Sequence, residues 1–214
     1  SQAEFTAGLR GIGLQQGDIA FISTRLFTLG RMEEAKTREG FMERVLESFW
    51  EVIGGDGTLV FQTYTTQTAR FGEPYIHEES MCINGMLSQY VLDHTKRVRS
   101  VHPINSYAAL GRLDNEICER ASTSNYGLES PSDRVLKRDG KIVIVGMDYG
   151  SSVFAHYLEA HCLVPYCYNK LLDIPVYIVG EKSDIVFTAH VRYLEYNIDY
   201  SFVTMKRAMD EAGI

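Results

Sequence analysis

The chain is short of the features that would place it in several large protein classes. Only four cysteines occur in 214 residues, too few for a disulfide framework at this length, so a reducing cytoplasm is the expected setting. No apolar run reaches the roughly 18 residues that a membrane helix needs, and the first residues lack the basic-then-apolar layout of a signal peptide. Basic charge is outnumbered. Against 28 Asp and Glu stand 21 Lys and Arg, a net charge of −7, which argues against a general nucleic-acid surface but leaves room for a local basic patch. Nucleotide signatures are missing too. Gly8, Gly11 and Gly13 run in the wrong order for a dinucleotide fingerprint, and Gly54, Gly55 and Gly57 lead into Thr-Leu rather than Lys-Ser/Thr. No G-x-S-x-G elbow, C-x-x-C or H-E-x-x-H spacing occurs. The chain starts at Ser1 rather than Met, as a processed or trimmed terminus would.

What is present is an ordinary globular composition, 45% hydrophobic and 23% charged, enough for one core and one domain over residues 1–214. Residues 5–13 read as a short helix, and Ile19-Ala-Phe-Ile-Ser-Thr24 as a strand that ends in a loop or helical turn over 24–30. Phe41, Val45, Phe49 and Ile53 recur every fourth residue within 33–53, the spacing of an amphipathic helix. A strand follows at 58–64. Residues 65–83 are polar and irregular, and Asn84 is placed to cap a helix through Asp93. A further short helix is expected around 113–121, a buried strand at Ile142–Met147, a helix after it, strands at 174–178 and 184–190, and a closing helix over 202–212. Tyr193, Tyr196 and Tyr200 make an aromatic-rich segment that leaves room for a homodimer. Alternating strands and helices predict an α/β fold, a layered α-β-α sandwich around a central mixed sheet.

Three groups of residues carry candidate chemistry. The strand before Gly146 gives way to an Asp-Tyr-Gly-Ser-Ser turn at 148–152 and then to a helical segment with His156 and Glu159 three apart, so the two share a face. A carboxylate beside an imidazole stabilises the imidazolium and fixes which ring nitrogen acts, which makes a general base. An ordinary surface contact gives the same spacing. The second group is the basic run Lys96, Arg97 and Arg99, with Ser100, His102 and Ser106 behind it. It reads either as a phosphate-binding turn or as a solvated helix end. The third is the cluster His156, Glu159, His161, Cys162 and Cys167, whose residue types suit zinc but whose spacing matches no paired-ligand motif. The four cysteines read more simply as small buried apolar residues.

Taken together, the segments resemble the aminoglycoside 3-N-acetyltransferase family of antibiotic N-acetyltransferases. The resemblance rests on L-Q-Q-G-D-I-A-F-I at 14–22, R-L-F-T-L-G at 25–30, G-G-D-G-T-L-V-F-Q-T at 54–63, R-S-V-H-P-I-N-S-Y-A-A-L-G at 99–111, Gly127 with Ser130-Pro131, and H-Y-L-E at 156–159. It covers nearly the whole chain in family order.

The resemblance implies transfer of an acetyl or short acyl group from acyl-CoA to the amine of an amino sugar or aminoglycoside. His156 would be the base and Glu159 its orienting partner. Acetyl-CoA, a co-substrate, would lie along Thr24, Arg25, Gly30, Thr63, Arg99, Ser100, Val101, His102 and Ser106; no metal, nucleic acid or membrane is implied. Ser23 and Arg25 stand where relatives usually carry His and Ser, Gln62 replaces a Pro, Val153 replaces a frequent Thr, and the chain ends short of the usual C-terminal segment. Two other readings compete: a family member that binds CoA or a sugar without catalysis, and a zinc-dependent hydrolase.

Overall fold

The computed structural model describes residues 1–147, 153–195 and 201–213. In chain order its elements are α1 (Gln2–Gly11), β1 (Ile19–Thr24), a 3-10 turn (Leu26–Leu29), α2 (Arg38–Ile53), β2 (Thr58–Gln62), α3 (Thr66–Phe71), β3 (Tyr75–Ile76), α4 (Met86–His94), β4 (Val98–Arg99), β5 (Tyr107–Gly111), α5 (Asp114–Cys118), α6 (Pro131–Lys137), β6 (Lys141–Val145), α7 (Phe154–His161), β7 (Cys167–Leu171), β8 (Val176–Ile178), β9 (Glu181–Ser183), β10 (Thr188–Arg192) and α8 (Phe202–Glu211).

The apolar runs at 19–22 and 59–61 are buried in the middle of the main sheet, as strands covered on both faces must be, while the equally apolar β6 stands at one end of it. The order is β4-β5-β2-β1-β6. β1 is parallel to both β2 and β6, while β5 is antiparallel to β2 and β4. The sheet is therefore mixed, and alternate side chains feed two cores. Ala20, Ile22, Leu59, Phe61, Ala108, Leu110, Val143 and Val145 face α1, α2 and α4. Ile19, Phe21, Val60, Tyr107 and Ala109 face α5, α6 and α7. This is the expected α-β-α layering. On α2, Val45, Phe49 and Ile53 are fully buried, each stabilising the fold by roughly 1.5–3 kcal/mol. The helix starts at Arg38 rather than 33 because the Thr37 hydroxyl accepts the Gly40 N–H at 3.0 Å and caps it.

Several expectations are corrected. Residues 65–83 are not irregular throughout. They contain α3 and β3, and β3 pairs in parallel with β8 a hundred residues later, Tyr75 opposite Val176. Asn84 does not cap α4. Its Oδ1 accepts the Tyr64 N–H at 2.6 Å, and Gly85 holds the cap position with no side-chain bond. The strand expected at 184–190 begins only at Thr188, since Ile185 and Val186 are exposed, and it pairs antiparallel with β7, which the sequence reading missed. The helix α6 was also missed; Ser130 caps it and Pro131 opens it. Among the cysteines only Cys118 is buried, and Cys162 is exposed. The 148–152 turn, Tyr196 and Tyr200 lie outside the described residues. No helix of the described residues is long and apolar enough to cross a membrane.

Candidate active site

β1 lies between two parallel partners, and the chain leaves them on opposite faces. After β1 it passes through α2, which packs on one side of the sheet; after β6 it reaches α7, which packs on the other. The carboxyl ends of β1, β2 and β6 thus border a topological switch point, where open α/β sheets bind ligands. Two of the loops there are clamped together. The Thr28 hydroxyl donates to Gly146 O at 2.8 Å, and Arg25 N–H donates to Val145 O at 2.9 Å. Gly146 has φ +72°, and a Cβ there would sit 2.6 Å from Arg25 O, so this junction requires glycine.

α7 is pinned by Phe154 and Tyr157. Both are buried, and the Phe154 ring meets Phe21 edge-on at 5.6 Å. That orientation turns His156 and Glu159 to the crevice. His156 Nδ1 lies 2.7 Å from Glu159 Oε2. A carboxylate only accepts, so Nδ1 carries the proton and Nε2 becomes the basic nitrogen. Glu159 Oε1 accepts the Tyr166 hydroxyl at 3.0 Å. The carboxylate is 10% exposed and the imidazole 45%, so the carboxylate is sheltered while the imidazole is accessible. Both line a cavity of about 230 Å³ with Thr66, Ile104, Asn105, Tyr126, Cys167 and His190.

Beneath this cavity runs a buried hydrogen-bond chain. The Tyr107 hydroxyl contacts Ser132 Oγ at 3.0 Å and Tyr64 OH at 2.7 Å; Tyr126 OH donates to Tyr64 at 3.4 Å; Asn105 Nδ2 donates to Tyr126 at 3.4 Å; and Asn125 Nδ2 donates to Asn105 Oδ1 at 3.0 Å. Burial pushes the Tyr107 phenol up to about 12 and raises those of Tyr64 and Tyr126 well above the usual phenol value, so all three stay protonated and neutral. Asn105 falls within the 100–106 turn that the family resemblance assigns to CoA; Tyr64, Tyr107, Asn125, Tyr126 and Ser132 are not expected at a site from the sequence. Their partners are 20 to 62 residues away in sequence, and no local spacing announces them.

The residues expected to hold a cofactor divide into two sets. Thr24 ends β1 and Arg25 follows it, at the carboxyl end of the strand, although neither they nor Gly30 line the cavity of His156. Gly30 borders a second cavity of about 660 Å³, lined by Phe27, Arg31, Lys36, Thr37, Arg38 and Met86 among others. Thr63, Arg99, Ser100, His102 and Ser106 are instead buried, and their polar atoms bind the protein itself. The Arg99 guanidinium donates to His77 O (2.8 Å), Ser80 O (3.1 Å), Thr63 O (3.2 Å) and Ser106 Oγ (3.2 Å). Ser106 Oγ donates to Thr63 O at 2.7 Å, and Ser100 Oγ accepts the Tyr107 N–H at 2.9 Å. His102 Nδ1 accepts the N–H groups of Ile104 and Asn105 at 3.2 and 3.0 Å, which leaves Nε2–H to donate to Thr188 O at 3.1 Å. Burial depresses His102 to about 4, so it is neutral in this role. Val101 packs in the small core of Tyr75, Val176 and Phe187. Within the basic run Lys96 is exposed and Arg97 half-buried, whereas Arg99 is an interior brace, because β4 carries it inward against β5.

The zinc-type cluster does not converge either. His161 Nδ1 contacts Tyr157 O at 3.1 Å and its Nε2 faces Asp133, away from the cavity. Among the described residues no three His, Cys, Asp or Glu side chains come together as metal ligands.

Comparison with known proteins follows the same line. A family profile described as aminoglycoside 3-N-acetyltransferase matches residues 29–214. Aminoglycoside N(3)-acetyltransferase III of Serratia marcescens is 26% identical over 189 residues, 80% of this chain and 68% of that protein. The chain spans about two thirds of the length of the curated relatives it matches, between 62% and 69% in the first six. Among solved structures, aminoglycoside acetyltransferase AAC(3)-Xa superposes with a TM-score of 0.82 at 21% identity, covering 100% of this chain and 82% of that one. AAC-IIIb bound to CoASH superposes with a TM-score of 0.80 at 17% identity, covering 100% and 85%. At these identities the structural likeness speaks for the fold.

Proposed function

The chain belongs to the aminoglycoside 3-N-acetyltransferase family, and on that premise we propose that it is a CoA-dependent N-acetyltransferase acting on the amine of an amino sugar or aminoglycoside. The observation that carries this reading is the His156–Glu159 pair, with its acidic member sheltered and its basic nitrogen directed by the Nδ1 contact, beside a cavity at the switch point of the sheet.

The chemistry follows from the tautomer. An ammonium has no lone pair and cannot attack a thioester. His156 Nε2 takes the proton from the amine as nitrogen bonds to the acyl carbon, and Glu159 stabilises the imidazolium that forms. The tetrahedral intermediate then breaks its C–S bond. Amide and CoA thiol leave, the thiolate taking a proton from the imidazolium. General base catalysis of this kind contributes about 10²–10⁴-fold, and holding amine and thioester together supplies much of the rest. Tyr166, through Glu159 Oε1, keeps the carboxylate aimed.

For acetyl-CoA, Thr24, Arg25 and Gly30 remain the proposed contacts. Arg31, Lys36 and Arg38 around the neighbouring cavity suit phosphate groups, and Phe27 and Met86 suit the apolar parts of the molecule. Incubation with acetyl-CoA and a panel of amino sugars and aminoglycosides, following thiol release, tests the proposal. Wild-type turnover that collapses in His156→Ala supports it. CoA binding without turnover on any amine favours a non-catalytic relative instead.

A further inference from the structure

His190 stands on β10 in the wall shared by two cavities. One holds His156 and Glu159; the other, of about 330 Å³, is lined by Leu128, His161 and Leu163. The backbone of His190 is fixed by its N–H donating to Asn125 Oδ1 at 2.8 Å, at the end of the buried chain under the site. Its ring is oriented by Asn169, whose Oδ1 lies 3.2 Å from Nδ1. An amide oxygen accepts and does not donate, so Nδ1 bears the proton and Nε2 bears a lone pair. That Nε2 is buried and has no hydrogen-bond partner. Burial also holds the imidazole below its ordinary value, with His156 adding to the effect and Glu159 opposing it.

A buried acceptor without a donor is costly to keep, and such atoms in native proteins call for an explanation. Here the amide N–H and Nδ1 are both engaged in holding the residue where it is, and Nε2 is the ring atom that the surroundings leave for something else. We propose that His190 Nε2 accepts a hydrogen bond from an O–H or N–H group of the acceptor molecule, next to the amine that reacts at His156. This inference rests on the acyltransferase reading and adds to it a specificity-determining contact. It selects a class of acceptor: an amine flanked by a hydroxyl or a second amino group, as in amino sugars, over a plain alkylamine. His190 does not take the reacting proton. Its lone pair reads the neighbour.

The test compares wild type with His190→Phe, which keeps a ring without the nitrogen, and His190→Gln, which restores an acceptor oxygen. Acetyl-CoA is used with whichever of glucosamine, 2-deoxystreptamine and kanamycin wild type acetylates fastest. The Phe variant is expected to raise the acceptor KM by about tenfold or more, leave the KM for acetyl-CoA within about twofold, and not lower the melting temperature; the Gln variant recovers most of the loss. In ¹⁵N-histidine spectra of the wild-type protein with CoA, titrating that amine should shift the His190 Nε2 resonance, a readout that stands if the Phe variant fails to fold. An acceptor KM unchanged in His190→Phe, both KM values and the melting temperature moving together, or an unmoved Nε2 resonance overturns the inference. Wild type inert on all three amines overturns the acyltransferase reading itself, before any His190 variant is compared.

Discussion

Two segments carry most of the family resemblance, and they behave in opposite ways. In His156-Tyr-Leu-Glu159 the imidazole is nearly half exposed and its partner sheltered, beside a cavity. In Arg99-Ser-Val-His-Pro-Ile-Asn-Ser106 the Arg, His and both serines are buried and bonded to the chain's own backbone. Both read as chemistry in sequence. Only where each donor and acceptor ends distinguishes a group left accessible beside a cavity from a group that braces. The two are nonetheless connected: His102 ties the turn to β10 at Thr188, two residues from His190, and Asn105 links the turn to Tyr126 under the cavity. The bracing segment shapes the floor of the cavity that His156 and Glu159 line.

This contrast makes differing demands on the two segments. The largest effect is expected from His156→Ala, which should lower kcat by about 10²–10⁴-fold with little change in melting temperature. Arg99→Met should do the reverse. It takes the guanidinium donors away from the His77, Ser80 and Thr63 carbonyls and the Ser106 hydroxyl, of which the last two keep each other, and chemical denaturation should show a loss of about 3 kcal/mol, with the residual folded fraction still active.

The pH dependence of stability separates the segments next. His102 is held at about 4 in the folded protein against an ordinary 6.5, so the unfolded chain binds more protons between those values. Its contribution is complete above about pH 6.5 and is lost as pH falls towards and through 4, at most about 3 kcal/mol. Burial, with Arg99, holds His77 at about 4 as well and adds to the same slope. His102→Gln should flatten the acid limb of a stability–pH curve; an unchanged slope would show that the residue is not buried neutral. The smallest effect is expected from Tyr166→Phe. Loss of one hydroxyl to Glu159 should cost about 1 kcal/mol of transition-state stabilisation, roughly a fivefold fall in kcat/KM.

Much of the fold was legible because it is written in local periodicity. The span of β1 matched from Ile19 to Thr24, and the buried face of α2 matched at Val45, Phe49 and Ile53, since a strand covered on both faces and an amphipathic helix each leave a repeating mark. His156 and Glu159 were legible for the same reason, being one helical turn apart. The rest depends on partners remote in sequence. Nothing near Tyr75 announces Val176, nothing near Glu159 marks Tyr166 as its second partner, and the inward turn of Arg99 follows from β4 pairing with β5. His190 has no neighbour in sequence that hints at a site. It becomes visible only once β10 is laid against β7 and its Nε2 is found without a donor.

The central claim is that one nitrogen, His156 Nε2, faces the reacting bond. A crystal structure with CoA and a bound amino sugar tests it most directly. The CoA sulfur and the amine should both lie within about 4 Å of Nε2, with Nδ1 still on Glu159. A sulfur placed away from α7, or an amine whose nearest titratable group is another side chain, would contradict it.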